Sequence, residues 1–170
     1  YNLTDLAIMV RPPTDLDTTN VPFAPHPYVV IAAPNHPLAG KKRIPFARLM
    51  RESFIVREKG SDTWNSMMEA FGSSLADLKI AMEIPSTETI KQAVIAGMGL
   101  SFLSAHTIAQ ELKSGSLRVL HVQRFPLMLH WFVVHRRTKR LPPVAQAFKD
   151  FLIADGAALI SKIVPFDPSK

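Results

Sequence analysis

The chain has 170 residues, 47% of them hydrophobic, enough for one ordinary domain or for two small lobes with a real core. The 20 basic against 14 acidic residues give a formal charge of +6, a bias toward acidic partners. The absence of cysteine excludes disulfides, thiolate zinc sites and cysteine nucleophiles and fits a cytoplasmic setting.

Residues 5–10 are strand-like, and Pro12-Pro13 with 14–20 makes a loop rich in turn formers. Residues 28–33 form a continuous apolar run of buried-strand length, ended by Pro34-Asn35-His36-Pro37. Residues 45–51 suit a short helix with proline in its first turn. Then come a strand at 53–57, a helix at 61–71, a strand at 78–84, a helix at 86–98 and a strand at 100–103. A helix at 106–113 stops at Gly115, strands follow at 117–122 and 129–135, and a helix starts at Pro142 or Pro143 and runs through Val144, Phe148, Phe151 and Leu152 toward Ile160. This alternation predicts an α/β fold with largely parallel sheets. The longest apolar runs, 28–33 and 90–103, are too short or too polar to span a bilayer, and no stretch reads as a signal peptide.

The segment 86–104 carries the most chemistry. Ser86 or Thr87 can accept from the free amides of the first helical turn, and Ile90, Val94, Gly97 and Met98 form an apolar stripe. Gly97 fits a left-handed helix stop, and Gly99 lets the chain turn sharply into the next strand. A helix start that aims amides and hydroxyls at one point suits an anion or polar effector. The junction Gly60-Ser61-Asp62-Thr63-Trp64 repeats that geometry. Read singly, each junction is an ordinary N-cap. Two of them in successive strand–helix units can face one crevice at the carboxyl ends of the strands, where small ligands collect in open α/β sheets. The candidate site is therefore Gly60, Ser61 and Thr63 with Ser86, Thr87 and Glu88.

Catalytic readings fail on their residues. Gly97-Met98-Gly99 has Phe102 where a dinucleotide fingerprint needs glycine, and it follows a helix instead of a strand. Ser101 and Ser104 lack a glycine-flanked elbow, and Ser104 or Thr107 beside His106 reads as a helix cap. The six histidines show no metal-ligand spacing: His26 and His36 lie beside prolines as turn residues, and His121, His130 and His135 sit in or beside strands as structural groups. The basic clusters 41–43 and 136–140 lack interleaved aromatics and read as solvated turns, not as DNA-reading elements. No catalytic residue, metal or cofactor is predicted.

Asp5-Leu-Ala-Ile8, His36-Pro-Leu38, Gly60-Ser-x-Thr63, Ile90-Lys-Gln-Ala-Val94, Ala96-Gly-Met-Gly-Leu100 and Leu103-Ser104 together resemble the effector-binding region of LysR-type transcriptional regulators. The resemblance covers almost the whole chain. Phe125-Pro-Leu-Met128, His130-Trp-Phe-Val-Val134, Lys139-Arg-Leu141 and Ala147-Phe-Lys-Asp-Phe-Leu152 are most similar to the CbbR type, regulators of carbon-fixation (RuBisCO) operons.

The resemblance implies two Rossmann-like lobes of periplasmic-binding-protein type, joined by crossing strands near 23–28 and 122–129, with a small-molecule metabolite between them. The second lobe would span about 24–124, and parts of the first about 1–23 and 125–164. It also implies a homodimer or higher homo-oligomer, and DNA contact only through an N-terminal winged helix-turn-helix. That domain, its linker helix and the opening of the first lobe do not fall within these residues. No catalysis and no membrane contact are implied. Relatives often carry Gly-Ser-Gly-Thr-Arg where this chain has Asp62 and Trp64, so it lacks one bidentate anion grip and gains a repelling carboxylate. A phosphorylated effector, which the CbbR type suggests, would then be met by helix amides and by Arg57 or Lys59. The competing class is a periplasmic-type solute-binding protein, which shares the two-lobe architecture.

Overall fold

A computed structural model describes residues 4–163. In chain order the elements are β1 (Ala7–Met9), β2 (Thr18–Ala32), α1 (Phe46–Leu49), β3 (Ser53–Val56), α2 (Asp62–Phe71), β4 (Lys79–Glu83) and α3 (Thr87–Ile95), followed by β5 (Ser101–Ser104), α4 (Ala109–Ser114), β6 (Arg118–Val119), β7 (Leu127–Arg136) and α5 (Pro143–Ile163). Short 3-10 turns lie at Gly72–Asp77 and Ala105–Thr107. The described residues divide into two compact units, 4–26 with 128–163, and 27–127.

In the first unit β1 pairs antiparallel with β7, Ala7 opposite Val134 and Met9 opposite Phe132, and β7 neighbours β2. Val10, Ala24, Val133 and Val134 are buried there. α5 buries Ala145 and Leu152, and at Gly156 an added Cβ would lie 2.7 Å from the Phe23 ring, so this glycine lets helix and strand approach closely. Lys139 ties the segment after β7 to Asp5 at 2.7 Å and to the Thr4 carbonyl at 3.1 Å. His26 is a buried strand residue with its ring 4.2 Å from that of Trp131, which corrects its reading as a turn residue. Neighbouring prolines hid this, because β2 carries Pro22, Pro25 and Pro27 within a 15-residue strand.

The second unit is built on the apolar run 28–33, each residue of which is at most 3% exposed. Tyr28 to Ile31 pair antiparallel with β5, and Ile31 and Ala32 with β6. Around them Phe71 meets Phe54 and Phe102 edge-on at 5.7 and 5.9 Å, while Tyr28 stacks on Phe102 at 5.3 Å. Fully buried side chains of this size contribute roughly 1.5–3 kcal/mol each, so this cluster is the unit's centre of stability. β3 and β4 run parallel, Phe54 opposite Ile80 and Val56 opposite Glu83. A parallel bridge at Phe54 and Leu100 joins β3 to the entry of β5.

The antiparallel ladders of β2 with β5 and β6, and of β1 with β7, correct the expectation of largely parallel sheets. Strand–helix alternation does describe the crossover from β3 through α2 to β4. It says nothing of the partners of a long strand entered from a loop. β2 already begins at Thr18, inside the expected loop at 14–20, and the strand expected at 117–122 forms a ladder only over Arg118–Val119. The helix expected from His106 is a 3-10 turn followed by α4, ending as anticipated at Gly115 with φ +76°. Ser104 Oγ accepts from the His106 amide at 3.2 Å, so it is the cap expected there.

Candidate functional site

Because β3 and β4 are parallel, the segments leaving their carboxyl ends emerge at one edge of the pair, and both lead into helices. At the first junction the chain turns at Gly60, φ +89°, a conformation that favours glycine. Ser61 then holds two roles. Its amide and hydroxyl donate to the Glu58 carbonyl at 3.2 and 2.8 Å, and its Oγ accepts from the Trp64 amide at 3.2 Å. This N-cap fixes the turn and the helix start together. Trp64 is 8% exposed, consistent with a packing role.

At the second junction Ser86 is the cap, its Oγ accepting from the Thr89 amide at 3.3 Å. The Ile84 amide donates to the Val56 carbonyl at 2.9 Å, which keeps the two junctions side by side. Thr87 is left free of capping duty. Its Oγ1 accepts from Arg57 Nη1 at 3.0 Å, so a residue at the end of β3 reaches the first turn of α3. Glu88 is 73% exposed and pairs with Lys91 at 2.8 Å along the helix.

Arg57 also grips the neighbouring Glu58 with its other edge, Nε to Oε2 at 2.7 Å and Nη2 to Oε1 at 2.8 Å. The bond to Glu58 raises the guanidinium pKa against the opposing effect of burial. The same bond holds the Glu58 carboxyl below its usual value. Asp62 accepts from the Tyr28 hydroxyl at 2.8 Å. Burial first, and then this carboxylate, push the Tyr28 pKa up to about 12, although the Ser66 and Thr63 hydroxyls beside it pull the other way. Tyr28 therefore stays protonated at neutral pH and donates steadily to Asp62.

The structure thus brings Gly60, Ser61 and Thr63 to the same sheet edge as Ser86, Thr87 and Glu88. Sequence reasoning named Arg57 only as a charge that could meet an anion, and it missed both the Glu58 clamp and the Tyr28–Asp62 bond. The first had a visible signal in the adjacent Arg57-Glu58 pair at a strand end. The second joins residues 34 positions apart and had none. Among the described residues no group of three or more His, Asp or Glu side chains is placed to hold a metal ion.

The model of the LysR substrate binding domain matches residues 2–157. The HTH-type transcriptional regulator CbbR of Xanthobacter flavus is 47% identical over 161 residues, covering 94% of this chain and 48% of that protein. The RuBisCO operon transcriptional regulator of Allochromatium vinosum is 41% identical over 158 residues, covering 93% of this chain and 52% of that protein. The chain spans about half the length of these relatives. Among solved structures, the regulatory domain of Synechocystis PCC6803 CcmR in complex with 2-PG superposes with a TM-score of 0.84 at 41% identity, covering 90% of this chain and 74% of that one. The chain belongs to the LysR substrate-binding-domain family, with the periplasmic-binding-protein type of α/β fold.

Proposed function

We propose that the chain is the effector-sensing part of a transcription regulator of carbon-fixation (RuBisCO) genes, and that it binds a small anionic metabolite at Gly60, Ser61, Thr63, Ser86, Thr87 and Glu88. The observation that carries this reading is the pair of helix starts at one sheet edge, tied together by the Arg57 bond to Thr87. Helix-start amides, hydroxyls and a guanidinium are the donors that a carboxylate or phosphate needs. The 41% identity to the regulatory domain of CcmR in complex with 2-PG supports an anion of that kind.

The mechanism is differential binding. An effector that fits one arrangement of two lobes, about 24–124 and parts near 1–23 and 125–164, better than another shifts their equilibrium and so the spacing of DNA-binding heads in a homo-oligomer. DNA is contacted through an N-terminal helix-turn-helix, catalysis plays no part, and the setting is the cytoplasm. No helix among the described residues is long and apolar enough to cross a membrane. Homo-oligomer contact falls to exposed apolar residues, of which α5 carries Val144, Phe148 and Phe151.

Thr87→Val tests the site. It keeps the β-branched shape and removes the hydroxyl, while the Ser86 cap remains. Calorimetric affinity for 2-PG is expected to fall by roughly 0.5 to 3 kcal/mol, toward the upper end where the lost partner is charged. Stability should change little. Unchanged affinity with a stability loss of about 1 kcal/mol would make Thr87 a structural residue only.

A further inference from the structure

The bidentate edge of Arg57 is already filled. A carboxylate takes Nε and Nη2 at 2.7 and 2.8 Å, and that carboxylate belongs to the next residue, Glu58. Glu58 is held there by its backbone, since its carbonyl receives both the amide and the hydroxyl of Ser61, the cap of α2. The remaining guanidinium nitrogen, Nη1, donates to Thr87 at the start of α3. One planar cation therefore bridges the two halves of the candidate site while an internal carboxylate occupies the face that a ligand's acid group would need.

We infer that Arg57 is the anion-gripping residue of this site and that Glu58 is its resident stand-in, which an incoming carboxylate or phosphate must displace. This rests on the functional reading above and adds to it a specificity device. The planar fork of Arg57 is matched by a ligand group presenting two oxygens side by side, and a neutral ligand gains nothing to replace the displaced carboxylate. Glu58 thereby selects for an acid group and against uncharged metabolites of similar shape, because only an anion restores the charge partner that Arg57 loses. The Glu58 side chain is 36% exposed against 19% for Arg57, so water can take up the leaving carboxylate while the ligand's acid group takes its place on the partly buried guanidinium.

The test is a double-variant cycle read by calorimetry with 2-PG as probe, each variant checked by its thermal unfolding curve. Glu58→Gln is expected to tighten binding about two- to fivefold, the worth of a partly exposed ion pair. Arg57→Gln is expected to weaken binding at least about tenfold, the loss of a charged hydrogen-bond pair, and Arg57→Lys to recover little of it because the fork is gone. In the Arg57→Gln background the gain from Glu58→Gln should vanish. Tighter binding that persists undiminished in that background would overturn the exchange, since Glu58 would then act only as a distant like charge. Equal or weaker binding by Glu58→Gln, with the parent chain still binding 2-PG, would overturn the exchange and leave the site reading intact. Absence of 2-PG binding by the parent and by all variants would overturn the site reading, and the exchange with it.

Discussion

Lys91→Met is expected to destabilise the chain by about 3 kcal/mol, the cost of stranding one member of a buried ion pair. Lys91 is 5% exposed, and its ammonium meets Glu111 at 2.8 Å, Glu88 at 2.8 Å and the Thr107 carbonyl at 3.1 Å. The Glu111 side chain is 15% exposed, and its Oε2 makes no hydrogen bond among the described residues, so Lys91 is the charge that balances it. Burial works against the Lys91 charge, but the bonds to Glu111 and Glu88 outweigh it and hold the ammonium pKa above its ordinary 10.5. Burial likewise pushes Glu111 up, and the bond to Lys91 more than reverses this, leaving it below its ordinary 4.5.

The pH dependence follows from those directions. The stability lent by Glu111 is present above pH 4.5 and is lost as pH falls through its lowered pKa; that lent by Lys91 is present below pH 10.5 and is lost as pH rises through its raised one. Chemical denaturation at pH 7 checks the variant, and Lys91→Met with Glu111→Leu should regain most of the loss because both charges then leave together. Recovery would assign the loss to the stranded carboxylate. A single-variant loss under about 1 kcal/mol would mean that water already reaches the pair. The same clamp anchors α3, which begins at Thr87 behind its Ser86 cap, so a loosened helix should also weaken anion binding.

Gly99→Ala is the second large effect. An added Cβ would lie 2.8 Å from the Ser53 carbonyl oxygen, closer than real Cβ contacts, and φ is +156°. That carbonyl is engaged, since it accepts from the Leu100 amide at 2.9 Å, and the Leu100 carbonyl in turn accepts from the Ile55 amide at 2.8 Å. Neither strand can retreat without breaking the bridge between β3 and β5. The expected loss is about 2 to 4 kcal/mol, overpacking plus backbone strain, measured as a fall in urea midpoint at unchanged m-value. Gly97→Ala is the control. Gly97 has φ +79° but nothing within 4 Å of an added Cβ, so only the left-handed conformation resists, at about 1 kcal/mol. Equal losses at the two glycines would show that the close approach at Gly99 relaxes away.

Local signals in the sequence matched the structure where the physics is local. Ser61 and Ser86 cap the helices expected of them, Gly97 and Gly115 stop theirs in the left-handed region, and the apolar run 28–33 is a buried strand. Partner choice was not local. Periodicity shows that β2 is a strand but not that β5 and β6 pair with it antiparallel, because that depends on where the chain returns about 70 to 90 residues later. The prolines around His26 spoke for turns, and tertiary pairing overrode them. At the candidate site the backbone frame was legible from two capped junctions. The side-chain wiring was not, because the bonds from Arg57 to Thr87 and from Tyr28 to Asp62 join residues that only the parallel β3–β4 pair and β2 bring together.

Amide NMR of the labelled chain during a 2-PG titration should locate the bound anion where α2 and α3 begin. Gly60, Ser61, Thr63, Ser86, Thr87 and Glu88 should show the largest shifts and saturate together. The second unit also has an open pocket of about 290 Å³ whose lining includes Lys42, Arg118 and His121, where an anion drawn only by positive charge would rest. Largest shifts at Lys42, Arg118 and His121, with the two helix starts unmoved, would place the anion there and not at α2 and α3.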